Sequence, residues 1–204
     1  MAELRSALAT ACAIGPIGVK RQPPAVALRE CAPRHLIQLS GWPDSFGAIC
    51  DRITSNLGLR VPVDCLTASA HEDVTVFRVG PTRLWFVCDA ACGDRLRAFF
   101  GAFDVRDGVV TEIDHSRTVI RVCGPEARTL LNRGLPIDLE DGVFPEHVFV
   151  QSVIHHVPVL VHRLPARTDP VFDLYVPRDY AVTFWEWLIE AACPLGGRVD
   201  GGEA

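Results

Sequence analysis

Lysine is nearly absent from this chain: Lys20 stands alone, and every other basic residue is an arginine. A GC-rich genome accounts for that bias ahead of any preference for guanidinium groups in paired interface contacts. Runs of one charge sign are also absent, and the net charge is −5. That removes the clustered positive surface that a phosphate backbone requires, so nucleic acid is not an expected partner. No apolar run approaches the length of a bilayer crossing; the longest, around Val157 to Val161, is strand-sized. The first residues, Met1 to Gly15, lack the charged start and continuous apolar stretch of a secretory leader. Eight cysteines are present but no CxxC pair. They read as reduced thiols of a cytoplasmic protein. Neither a G-x-G-x-x-G nor a P-loop pattern occurs, and no G-x-S-x-G elbow. These gaps remove the commonest hydrolase, kinase and dehydrogenase readings.

What is present is the material of a folded core. Apolar residues make up 49% of the 204 positions and charged residues 22%, enough burial to offset chain entropy without crosslinks or metal. Residues 1–24, rich in Ala, Gly and Pro, read as an extended N-terminal arm, and 194–204 as a mobile tail. Between them one α+β domain is expected over 25–193, with two halves meeting near 110. Val74 to Val79 alternates like a strand, Gly80-Pro81 turns the chain, and Arg83 to Cys88 is its hairpin partner. Cys92, Leu96, Phe99, Phe100 and Phe103 then fall on one helical face. Val119 to Cys123 is another strand. Gly124-Pro125 ends it and opens a helix that buries Ala127, Leu130 and Leu131 and stops at Gly134 as a left-handed cap. Phe149 to Ile154 and Val157 to Leu164 flank a His155-His156 turn, and Val171 to Val176 follows. The last helix carries the stripe Ala181, Phe184, Trp185, Leu188, Ile189 and Ala192. Two early strands are expected at Val26 to Arg29 and Leu36 to Leu39, with a helix near Ser45 to Leu57. The total is about eight strands and four helices, with mostly antiparallel sheets, helices packed on one side, and two intimately packed halves.

Three places could carry chemistry. Asp114-His115-Ser116 holds the residue types of a hydrolase triad, but adjacent residues cannot line up as nucleophile, base and acid; a backbone-bonding turn explains them better. His155 and His156 diverge on a hairpin, without a second spaced pair to complete a metal site. Cys88-x3-Cys92 places its second thiol on a buried helix face. Glu140-Asp141, before a glycine, reads as a plain turn. No catalytic, cofactor-binding or metal-ligating residue is assigned.

The stretch from Asp114 to Asp138 reads DHSRTVIRVCGPEARTLLNRGLPID. It carries Ser116, the turn Gly124-Pro125-Glu126-Ala127, the pair Leu130-Leu131 and then Asp138-Leu139. Phe144-Pro145, Val150-Gln151-Ser152 and His162-Arg163 follow. Val176-Pro177-Arg178-Asp179-Tyr180-Ala181 and Trp185-Glu186-Trp187-Leu188 close the series, and Arg78 to Arg83 matches more loosely. In order and spacing these pieces resemble the gamma subunits of heterotetrameric sarcosine oxidases over about residues 25–193. Asp179, where that family usually has Ser, and the Cys-rich N-terminal third depart from the pattern. They leave room for a relative acting on another N-methyl amine.

The resemblance implies a fold similar to the folate-binding domain of the glycine-cleavage T-protein. It implies a non-catalytic packing partner, chiefly of the alpha subunit, in a cytoplasmic complex with beta and delta subunits. FAD, FMN, NAD, zinc and tetrahydrofolate would be held by the other subunits, with no cofactor in this chain. Trp42, Tyr180 and Trp187 are the candidate interface anchors, as aromatic residues off the main stripe; completing the core is an equal alternative for Tyr180 and Trp187. Two other readings stay open. One is a stand-alone folate-binding aminomethyltransferase-like protein, with Asp114 the nearest pterin carboxylate. The other is an interaction module with no enzyme attached.

Overall fold

A computed structural model describes residues 6–32 and 34–201. The chain divides into two compact units: Met1–Pro33 with His115–Ala204 (unit 1), and Arg34–Asp114 (unit 2). Among the described residues there are twelve strands and four α-helices.

Unit 1 is a seven-stranded sheet in the order β1-β12-β2-β8-β11-β10-β9. Its strands are β1 (Gly15–Ile17), β2 (Val26–Glu30), β8 (Arg117–Cys123), β9 (Phe149–Ile154), β10 (Val157–Leu164), β11 (Val171–Pro177) and β12 (Gly197–Val199). Only β12 and β2 run parallel; the other pairs are antiparallel. Period-two alternation does the sorting: Thr118, Ile120 and Val122 of β8 are buried while the residues between them are less so. Helices α3 (Ala127–Leu131) and α4 (Ala181–Ala192) join one apolar core with Ile120, Val122, Phe172 and Leu174. Ala181, Phe184, Trp185, Leu188 and Ala192 of α4 are buried and Ile189 is partly so, the stripe that 3.6-residue periodicity requires.

Unit 2 is a five-stranded antiparallel sheet in the order β4-β5-β6-β3-β7. It comprises β3 (His35–Gly41), β4 (Ala68–Ala70), β5 (Val74–Gly80), β6 (Arg83–Cys88) and β7 (Gly108–Glu112), with α1 (Phe46–Leu57) and α2 (Ala90–Phe100). Helix α2 starts where the Asp89 side chain accepts the Cys92 amide at 2.8 Å. Its aromatic end is a cluster in which Phe99, Phe100 and Phe103 stand 5.2–5.3 Å apart between ring centroids.

Four expectations change. The N-terminal stretch is not simply an extended arm: Leu8 is fully buried and β1 is hydrogen-bonded into the sheet. The C-terminal stretch is not merely a tail, because β12 lies between β1 and β2 and Val199 is buried. Gly134 is not a left-handed cap. Helix α3 ends at Leu131 with a right-handed Asn132 cap, and Gly134 is small because a Cβ there would stand 2.8 Å from the Trp187 ring. The left-handed cap is Gly58, at φ 68° after α1. The eight expected strands become twelve, since β1, β4, β7 and β12 were not legible.

Candidate functional site

The three candidate anchors fall in different settings. Trp42 follows β3 in unit 2, is 48% exposed, and donates its indole N–H to the Val105 carbonyl at 2.9 Å. Val105 and Val109 are themselves exposed, and Ser40, two residues before Trp42, pairs with Val109. Trp42 thus belongs to a small apolar surface patch. Tyr180, 49% exposed, ends the 3-10 turn Arg178–Tyr180 in unit 1, with exposed Val182 two residues on. Trp187 is half-buried against the unit 1 core. Its ring stacks on His155 at 6.3 Å and 13°, stands 5.8 Å from Phe184, and covers Gly134.

Asp114-His115-Ser116 is a single 3-10 turn leading into β8. Its acid is engaged elsewhere. Asp114 Oδ2 stands 2.6 Å from His35 Nδ1, and Oδ1 accepts the Leu36 amide at 2.8 Å. His35, buried at the start of β3, was not singled out from the sequence; 79 positions separate it from Asp114, and no local pattern marks such a pair. Arg97 of α2 comes within 3.5 Å of His35 Nδ1, donates to Asp94 at 2.7 Å, and stands 3.6 Å from Glu112. The hydrogen bond to Asp94, with Glu112 nearby, holds the Arg97 guanidinium above its ordinary pKa. A shallow apolar groove of about 510 Å³, floored by Ile37, Phe100 and Val110, lies beside it. Cys88 and Cys92 are both buried, and burial, foremost, pushes their thiols upward in pKa. They therefore remain protonated and weakly nucleophilic.

Unit 1 has a second buried polar system. Arg121 grips Asp173 through two hydrogen bonds, at 2.6 and 2.8 Å, from neighbouring strands. Asp173 lies opposite His162 on β10, which is 1% exposed. Burial pushes the His162 pKa down to about 4 despite the opposing pull of Asp173, so the ring is neutral near pH 7. Arg163, the next residue, donates to the Phe144 carbonyl at 2.8 Å and pairs with Asp141. Arg128 also pairs with Asp141, so the expected plain turn at Glu140-Asp141 is a tie between α3 and β10.

His155 and His156 occupy the β9–β10 turn at φ 47° and 70°, with rings 5.9 Å apart and tilted by 50°. Among the described residues, no three His, Cys, Asp or Glu side chains group closely enough to hold a metal ion. Nor is any helix among them long and apolar enough to cross a membrane.

The chain is 26% identical over 169 residues to sarcosine oxidase subunit gamma of Corynebacterium sp. strain P-1, covering 81% of this chain and 79% of that one. It is 27% identical to the Arthrobacter sp. subunit gamma, covering 82% and 80%. In structure it is similar to a chain of heterotetrameric sarcosine oxidase from Corynebacterium sp. U-96, solved in complex with pyrrole 2-carboxylate. That match has a TM-score of 0.73, 21% identity and 88% coverage of both chains. It shares its fold with glycine cleavage system aminomethyltransferase T from Bartonella henselae, with a TM-score of 0.58 and 14% identity, but spans only 48% of that protein. The α+β architecture with mostly antiparallel sheets is therefore T-protein-like. The sequence profile of the GCVT N-terminal domain matches residues 67–204, and the chain belongs to that family.

Proposed function

We propose that this chain is the non-catalytic gamma subunit of a heterotetrameric sarcosine-oxidase-like flavoenzyme. That enzyme would oxidatively demethylate sarcosine or a similar secondary N-methyl amine. The observation that carries the reading is the near full-length correspondence with proteins named as subunit gamma, 81% of this chain against 79% of the relative. The site geometry is consistent with it. The His35–Asp114 pair holds β3 to the 3-10 turn, and Arg121–Asp173 holds β8 to β11; these are contacts that stiffen a scaffold.

In this reading the chain packs chiefly on the alpha subunit and stabilises it, within an assembly that also has beta and delta subunits. FAD, FMN, NAD, zinc and tetrahydrofolate would sit in those other subunits, in the cytoplasm. Trp42 and Tyr180 are the exposed aromatic anchors, and Trp187 would shape its surface from a half-buried position. The stand-alone aminomethyltransferase reading has less support, because Asp114 is committed to His35 and the Leu36 amide and the chain spans under half of the aminomethyltransferase structure.

The test is a pull-down of the tagged chain from its native cell extract, with absorbance read across the visible range. Larger flavin-bearing partners that bleach on adding sarcosine or another N-methyl amine are the expected result. A colourless lone chain at native expression level would overturn the proposal, and binding of tetrahydrofolate by that lone chain would favour the aminomethyltransferase reading.

A further inference from the structure

The two sheets repeat one plan. In unit 2 the succession β3-α1-β4-β5-β6-α2 builds the antiparallel neighbours β4-β5-β6-β3, and in unit 1 the succession β8-α3-β9-β10-β11-α4 builds β9-β10-β11-β8. Each sheet then takes a further antiparallel strand beside the first of its series, β7 beside β3 and β2 beside β8. The registers agree. Ile37 lies between Phe86 and Glu112, and Ile120 between Leu174 and Glu30. The Ile113 amide donates to the Leu36 carbonyl and the Cys31 amide to the Val119 carbonyl, each at 2.8 Å. Val110 therefore holds the place of Leu28, and Glu112 that of Glu30.

Beyond that strand the units part. In unit 1 the chain covers the outer side of β2 with its own ends. Strand β12 runs parallel along Val26 to Leu28, and the Leu28 carbonyl accepts the Asp200 amide at 2.8 Å. Glu30 accepts the Ala7 amide at 3.0 Å and the Ser6 and Thr118 hydroxyls, while Leu8 is fully buried in the core. The Val19 amide donates to the Cys193 carbonyl, at the end of α4, at 3.0 Å. Among the described residues unit 2 has no counterpart to these covers. Its sheet stops at β7. Alternation along the ladder turns the Val110 and Glu112 amides away from β3. Glu112, with its side chain 52% exposed, meets only the Arg97 guanidinium, at 3.6 Å. Phe100 and Gly101, at the end of α2, line the groove of about 510 Å³ together with Ile37 and Val110.

What covers β2 indicates what covers β7. We infer that an extended segment of a partner subunit adds to the free edge of β7, parallel to it, and sets an apolar side chain into the groove over Val110 and Phe100. Its backbone bonds the Val110 carbonyl as Asp200 bonds that of Leu28, and an amide or hydroxyl meets Glu112 as Ala7 and Ser6 meet Glu30. In such an addition main-chain bonds give affinity and alternate side chains give selectivity. On β12 the position opposite Val26 must be Gly197, because a Cβ there would stand 2.8 Å from the Val26 side chain. Gly108 holds the place of Val26 on β7, so the incoming segment has room for a larger apolar residue. The segment comes from a partner because the described parts of both ends of this chain are engaged in unit 1, and those of a second copy would be engaged likewise. This inference rests on the subunit reading above.

The test uses the full chain co-expressed with its native partners. Hydrogen exchange at the Val110 and Glu112 amides is read by mass spectrometry in the assembled complex and in the purified chain. In a parallel preparation a photoreactive benzoylphenylalanine replaces the exposed Thr111. Assembly is expected to slow exchange at the two amides about tenfold or more. The cross-link is expected to map to one segment of a partner subunit with apolar residues at alternate positions. Val110→Pro removes an outward amide, a change that an edge strand tolerates. It is expected to weaken assembly about tenfold or more while the purified chain keeps its circular dichroism spectrum. If wild type assembles but the two amides exchange equally fast in both states, or the cross-link maps to a second copy or to no partner, the inference is overturned and the subunit reading stands. If wild type recruits no partner at all, both are overturned together.

Discussion

Unit 2 is one unbroken stretch of chain, whereas unit 1 is joined from both ends of the molecule. In unit 2 β5 and β6 form a hairpin across Pro81 and Thr82, and β3 pairs with β6 and β7 from further along the same stretch. In unit 1, β12, the last strand in sequence, pairs parallel with β2 and antiparallel with β1 on its other side. The contrast teaches that a short, weakly patterned strand can hold a sheet together when its register is set by distant partners. Gly197-Arg198-Val199 is too short to show a strand pattern, and Gly197 is small because a Cβ would stand 2.8 Å from the Val26 side chain. The two units also differ in their buried polar pairs. Asp173 sits among strand residues with a guanidinium gripping it, while Asp114 ties a turn to a strand through a histidine and an amide.

Deleting residues 196–204 is the most severe way to break the comparison. It removes β12 and leaves β1 without a partner, so cooperative unfolding monitored by circular dichroism is expected to be lost or strongly broadened. Asp173→Ala comes next. It leaves the Arg121 guanidinium without its bidentate partner, at a cost of about 3–5 kcal/mol in urea unfolding. Asp114→Ala removes the His35 contact and the Leu36 acceptor, and is expected to cost about 1.5–3 kcal/mol. If Asp114→Ala proved the more damaging of the two, the ranking of the units would be reversed. Gly134→Ala forces the Trp187 ring aside and is expected to cost about 1–3 kcal/mol, with a change in tryptophan fluorescence.

The smallest effect is a slope with pH. His162 has its pKa lowered from 6.5 to about 4, chiefly by burial, with Asp173 opposing and His147 and Arg121 adding to the shift. The unfolded chain therefore takes up this proton at a higher pH than the folded one. The stability that depends on neutral His162 is full above about pH 6.5 and declines as pH falls toward 4. His162→Leu is expected to flatten stability against pH across that window. An unchanged slope would assign it to other groups.

Much of the fold was legible because local pattern and tertiary packing agreed. The alternation in Val74 to Val79 and Val119 to Cys123 gave β5 and β8, and the stripe from Ala181 to Ala192 gave α4. The site was less legible. Trp42 and Tyr180 could be nominated as aromatic residues off the stripes. His35 with Asp114, Arg121 with Asp173, and the Arg128–Asp141–Arg163 tie could not, because each joins positions on different elements that meet only in the folded chain.

The sequence by itself determined the class of fold, the long strands and helices, the resemblance to sarcosine oxidase gamma subunits, and the want of any recognised catalytic motif. Each of these is written in local periodicity or in the order of short motifs, and needs no knowledge of distant neighbours. Only the tertiary structure decided that the chain ends build a sheet, that Gly134 makes room for Trp187 rather than capping a helix, and which acids meet which bases. The reason is physical: three-residue strands and buried ion pairs are stabilised by partners far away in sequence, and burial, more than propensity, selects them.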